Sequence, residues 1–224
     1  MHGSIAAPTA KTALRAVRHH LFAPSLLLAS GLLLVQALWI PAKAELAQWL
    51  LARSWHAART TGEAQPPWGW ADTRAVALLR RADVGAEQVV LAGDSGRVLA
   101  FGPGWNPASA APGGQGTVVI SAHRDTHFAW LRNLAAGATL ELEGVQGRRR
   151  YRLQERHILD VREHALAPEV GEDQLLLVTC WPFDAAEAGG PLRLVLRFLP
   201  LEQEALAQPG GSVPQPGAYS GAPS

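Results

Sequence analysis

The 224-residue chain has a single cysteine, Cys180, at the end of the apolar run "QLLLVT". A thiol attacks only as its thiolate, and an unperturbed pKa of about 8.5 leaves little thiolate at neutral pH. A nucleophilic role therefore needs a basic or cationic neighbour. His123, just after "TVVI" in "SAHRDTHFAWL", can hold a thiol proton and return it to a leaving amine. Arg193, in "GGPLRLVLRF", offers a permanently charged fork of donors that can face an oxyanion. Arg197 falls on the same strand face by the period of two. Each residue alone also has a plain reading, as an inert buried thiol or a solvent-facing arginine. Together they supply nucleophile, acid/base and oxyanion donor, the set that cysteine acyl transfer requires.

Other chemistries fit less well. His123 and His127 have the His-x-x-x-His spacing of a zinc site, but Arg124 stands where a metalloprotease carries Glu. No third ligand is evident, so no metal and no other cofactor is expected. One cysteine excludes a multi-cysteine zinc site and an intramolecular disulfide framework. "HRD" also occurs in kinase catalytic loops, but the chain lacks a glycine-rich phosphate loop and a DFG. Net charge is +1, with 48% hydrophobic and 17% charged residues. "GRRRYR" (147–152) is the one basic cluster and lies in an alternating segment, so no nucleic-acid partner is expected.

Elements must bring these residues together. Lys11, Arg15 and Arg18 precede the uncharged run 21–40, which is long enough to span a bilayer, with Trp39 at an interface. The reading is a cytoplasmic segment 1–20, a membrane helix 21–40 and an exported remainder. The rival is a signal peptide cleaved after Ala42-Lys43-Ala44. Residues 41–70 form a juxtamembrane helix and linker, with Leu46, Trp49, Leu50 and Trp55 at helical spacing over 44–60. "ADTRAVALLRRA" (71–82) reads as a short helix capped by Asp72 or Thr73. From there "EQVVLAG", "RVLAFGPG", "GTVVISAH", "ATLELEG", "RYRLQERHILD", "QLLLVTC" and "LRLVLRFL" read as short strands broken by turn residues. That pattern predicts a mainly β domain over 71–200, a closed barrel or a sandwich. Residues 201–224 are rich in Pro, Gly and Ser and read as disordered.

Three motifs in this order, "AHRDTHF", "LLLVTCWPFD" and Arg193 thirteen positions after the cysteine, resemble the sortases across roughly residues 44–200. "PPWGWADT", "TCWPFDA" and "GGPLR", with the N-terminal apolar run, look closest to the class found in Gram-negative bacteria. Leu175–Leu177 stand where the family pattern has an earlier Thr. The resemblance implies a closed eight-stranded sortase-type β-barrel with short helices. It implies cleavage of a C-terminal sorting signal in a partner protein, a thioacyl intermediate on Cys180, and transfer to an amine acceptor. His123 would be the acid/base and Arg193 would hold the oxyanion or the substrate backbone, with Arg197 the runner-up for that role and Thr179 and Arg197 as substrate contacts. The chain would sit in the inner membrane by a single span, its catalytic domain on the periplasmic side. A peptidase that only hydrolyses, and a barrel that binds a partner without catalysis, remain as alternatives.

Overall fold

The computed structural model describes residues 10–81, 83–163, 171–185 and 189–201, with side chains from residue 24 onward. The tail read as disordered lies outside the described residues from position 202 onward. The chain divides into two compact units between Ala75 and Val76.

The first unit is dominated by one helix, α1 (Ala10–Thr61), with Pro24 and Pro41 inside it. The sequence reading separated a membrane helix from a juxtamembrane one; the structure runs them together. Each proline removes one backbone donor and leaves the remaining ladder to carry the helix. Between Leu26 and Ile40 the large apolar side chains are exposed. The stretch Pro24–Thr61 holds an 18-residue window of mean hydropathy 1.8 and is long and apolar enough to cross a membrane. A signal sequence near the N-terminus has the same properties. Farther along, the buried stripe is Leu51, Ser54, Trp55 and Ala58, at the i, i+3, i+4, i+7 spacing of one helix face. Leu46 and Trp49, expected on that face, are exposed. Gly62 ends the helix with φ 78°, a left-handed conformation that favours glycine. Ser54 Oγ then donates to Gln65 O at 2.6 Å, drawing the following segment back.

The second unit is a closed barrel of eight strands. In chain order they are β1 (Ala75–Arg81), β2 (Ala86–Ala92), β3 (Gly104–Trp105), β4 (Thr117–Ser121), β5 (Thr139–Gly144), β6 (Gly147–Asp160), β7 (Gln174–Cys180) and β8 (Leu192–Pro200). Around the barrel the order is β1-β2-β3-β4-β7-β8-β6-β5. A short helix, α2 (Gly96–Leu99), and a 3-10 turn (Ala129–Asn133) decorate it.

β4 and β7 pair in parallel, Val118 against Leu175 and Ser121 against Val178. Their even-numbered and odd-numbered residues respectively, Val118, Ile120, Leu175 and Leu177, enter the main core with Leu194, Leu196 and Phe198 of β8. The opposite face is also apolar: Val119, Val178 and Val195 cluster there, with Leu159 and Leu176 against them. Burial on both faces explains why "TVVI" and "LLLV" are unbroken apolar runs rather than alternating ones.

Two sequence assignments change. "AVALLRR" is strand β1, not a helix, and pairs antiparallel with β5, Leu79 opposite Leu142. A short apolar run fits either period, and alanine favours helix, but the barrel's need to close overrides that weak local preference. "RVLAFGPG" is mostly α2 and a turn; only Gly104 joins the sheet, as the start of β3. A Cβ at Gly104 would collide with Gly93 O, so only glycine permits this close pairing of β2 and β3.

Candidate active site

Cys180 is the last residue of β7 and lies directly opposite Arg193 of β8 in antiparallel register. Opposed residues in such a pair have Cβ atoms about 5 Å apart and project from the same face. That face is the outer one, continuous with Val178 and Val195. Cys180 is free and partly exposed.

His123 arrives from the other neighbour of β7. The last paired residues are Ser121 and Val178, and Ala122 N–H donates to Val178 O at 3.1 Å. Continued by two residues beyond the end of β4, this parallel register points to position 123 as the one level with Cys180. The alternation of β4 puts Val119 on the outer face and Ala122 in the core, so position 123 falls on the outer face. Phe128, fully buried, donates its N–H to His123 O at 3.0 Å and pins the loop. His123 itself is exposed. His127 is partly buried, and that burial, with His123 nearby, pushes its imidazole below the usual histidine pKa. His127 is thereby neutral at pH 7.

Arg193 Nη1 donates to Gly190 O at 2.6 Å and to Leu192 O at 2.9 Å. These bonds hold the guanidinium at the turn into β8 while its charge stays uncompensated by any carboxylate among its described partners. Nε and Nη2 have donors to spare.

The register thus sets Arg193 opposite Cys180 and leads β4 toward His123 on the other side of β7, with Thr179 on the core face and Arg197 four residues along β8. Thr179 is 2% exposed on the core face of β7, and its Oγ1 donates to Ala122 O at 2.8 Å. The alternation that exposes Cys180 buries its neighbour, which was read as a substrate contact. The hydroxyl instead ties β7 to the residue before His123. Arg197 does share a face with Arg193, but four residues away, about 13 Å along the strand. It donates to Gln174 Oε1 and to Glu172 Oε2, the latter at 2.8 Å, with Glu155 at 3.6 Å. It faces carboxylates at the far end of β7, not the thiol.

Sequence reasoning missed Arg124. It was weighed only as the residue that spoils a zinc motif. Its side chain is buried, and it donates to Pro182 O at 2.6 Å and Ala185 O at 2.8 Å. These partners are 58 and 61 residues away, so no local pattern announces them. Beside them, Trp181 and Phe183 stack edge to face at 5.8 Å, and the Arg132 guanidinium lies 5.1 Å from the Phe183 ring. Among the described residues no three His, Cys, Asp or Glu side chains converge as a metal site.

A sortase-domain profile matches residues 81–198 of the chain. No curated protein sequence matches it. Among solved structures, sortase A from Corynebacterium diphtheriae is 23% identical with a TM-score of 0.50, covering 61% of this chain. The chain spans 65% of the length of that protein. A Clostridium perfringens sortase D5 transpeptidase is 19% identical with a TM-score of 0.54, over 70% of this chain and 99% of its own. Streptococcus agalactiae sortase C1, solved with MTSET, is 22% identical with a TM-score of 0.50, over 57% of this chain and 67% of its own. At these identities the structural likeness establishes the fold.

Proposed function

The chain belongs to the sortase family of cysteine transpeptidases, and on that premise we propose that it is a membrane-anchored member of the class found in Gram-negative bacteria. The motifs "HRDTHF", "TCWPFDA" and "GGPLR" support that class. The apolar stretch Pro24–Thr61 supports the anchor. Positive charges before it support a cytoplasmic N-terminus and a periplasmic barrel.

The substrate is the C-terminal sorting signal of a partner protein. Cys180 Sγ, deprotonated, bonds to the scissile carbonyl carbon, and the carbonyl electron pair moves to oxygen. Arg193 faces that oxyanion with the donors its backbone bonds leave over. Collapse breaks the C–N bond, and the departing amine takes its proton from the His123 imidazolium. A thioester on Cys180 remains. An acceptor amine then attacks it, passes a proton to His123, forms the new amide and releases the thiolate.

The observation that carries this reading is the register of β7: Arg193 opposite Cys180 on one side, and the β4 end that bears His123 on the other. The test is mass spectrometry of the full chain mixed with a peptide library and triglycine as amine. We expect an acyl adduct confined to Cys180 and a triglycine-ligated product, both absent in Cys180→Ala at unchanged melting temperature. An adduct or product that persists in folded Cys180→Ala sinks the proposal.

A further inference from the structure

We infer that Arg124 is a positioning residue for the histidine–thiol pair, its buried guanidinium tying the segment after Cys180 to the residue that follows His123. The inference rests on the roles proposed for Cys180 and His123.

Arg124 is 7% exposed. Burying a guanidinium costs several kcal/mol unless its donors are met. An apolar side chain would fill the same space without that cost, so packing alone does not account for an arginine here. Its two terminal nitrogens reach two different carbonyls, Pro182 O and Ala185 O, while Nε lies 3.3 Å from Asp125 Oδ1. A planar fork that holds two acceptors at once fixes the orientation as well as the distance of the segment carrying them.

Among the described residues, few backbone hydrogen bonds hold that segment. There the ladder between β7 and β8 continues past Cys180 only through Trp181 N–H to Leu192 O, at 3.0 Å. Pro182 has no N–H to give, and Ala185 N–H reaches Pro182 O at a long 3.4 Å. The segment's side chains are held by packing, Phe183 in the main core with Trp181 against it, and by the Arg132 guanidinium over the Phe183 ring; a hold on the backbone carbonyls of Pro182 and Ala185 is what Arg124 adds.

The two ties bracket the reacting pair. Before Cys180, Thr179 Oγ1 fastens β7 to Ala122 O. After it, Arg124 fastens Pro182 and Ala185 to the chain just beyond His123. Each anchor residue is an immediate sequence neighbour of a reacting residue. Between two side chains on separate strands, a displacement of about 1 Å can cost on the order of 10²-fold in rate.

The test reads the second-order rate of Cys180 alkylation by iodoacetamide at pH 7 in the full chain. Four proteins are compared: wild type, His123→Ala, Arg124→Met and Arg124→Lys, with melting temperatures measured in parallel. We expect His123→Ala to slow alkylation about tenfold. Arg124→Met, folded, slows it about fivefold or more, and Arg124→Lys, which keeps the charge but not the planar fork, restores the rate only in part. If the Met variant does not fold, Arg124→Gln is held to the same criterion. A slow His123→Ala beside a wild-type rate in Arg124→Met or Arg124→Gln overturns the inference alone. Equal rates in wild type and His123→Ala overturn the histidine–thiol pairing and the inference with it.

Discussion

The two ends of the β7–β8 pair use an arginine on the same face to opposite effect. At one end Arg193 stands opposite Cys180 and, among the described residues, bonds only to the carbonyls of Gly190 and Leu192. At the other, Arg197 stands opposite Leu176 and meets Gln174, Glu172 and Glu155. Next to that second cluster, Arg149 holds Asp173 through two bonds of 2.6 Å each, joining β6 to the start of β7. An arginine among carboxylates has its field cancelled locally and serves to fasten strands. One that leans only on carbonyls keeps its full charge for a developing anion. Residue type and strand face are identical; what faces the guanidinium decides its use.

Substitutions at each end separate these uses. The largest effect is expected at Arg193: Arg193→Met lowers kcat for ligation on the order of 10²-fold with little change in melting temperature. A loss below about threefold would erase the distinction between the two ends. Next is Asp173→Asn, which weakens the tie between β6 and β7 by about 1 kcal/mol, a modest figure because the pair is partly solvated. The Arg149 guanidinium holds the Asp173 carboxyl below its usual pKa. The folded state therefore releases this proton more readily than the unfolded one. The stabilisation is complete above the unfolded pKa of about 3.9 and fades as pH falls through the lower folded value. Chemical denaturation from pH 7 to pH 3 should show this slope in the wild type and a shallower one in Asp173→Asn. The smallest effect is expected at Arg197: Arg197→Met lowers the melting temperature by less than about 3 °C and leaves ligation within about twofold. A loss there comparable to that of Arg193→Met would make the pair a joint catalytic device.

Much of the barrel was readable because β4, β5, β6, β7 and β8 carry apolar runs or alternation bounded by turn residues. β1 was not, because "AVALLRR" satisfies a helical period equally well and its pairing in the barrel, with Leu140 to Gly144 on β5 and with β2, makes it a strand. β3 was not, because two residues carry no periodicity; a glycine that must let β2 approach is the whole signal. At the site, Cys180, His123 and Arg193 stood out as chemistry-bearing residues at strand ends. Thr179, read as a substrate contact, lies on the core face because adjacency to Cys180 in sequence means the opposite face in a strand. Arg197 has the same period and charge as Arg193, and the carboxylates it meets come from Glu155 and Glu172, 42 and 25 residues away.

The amino-acid order alone determined that there is one thiol, that it closes an apolar strand, and that a histidine and an arginine also stand at strand ends. It determined as well that an apolar stretch precedes the barrel. These are local properties, set by composition and by a period of two. Tertiary structure decided the rest: that β4 and β8 flank β7, so that Arg193 stands opposite Cys180 and the chain toward His123 leaves from the other side. It also decided that Thr179 turns inward, that Arg197 is neutralised, and that Arg124 spans to Pro182 and Ala185. Register and strand order depend on contacts between residues tens of positions apart, which burial in a closed barrel selects and which no local pattern encodes.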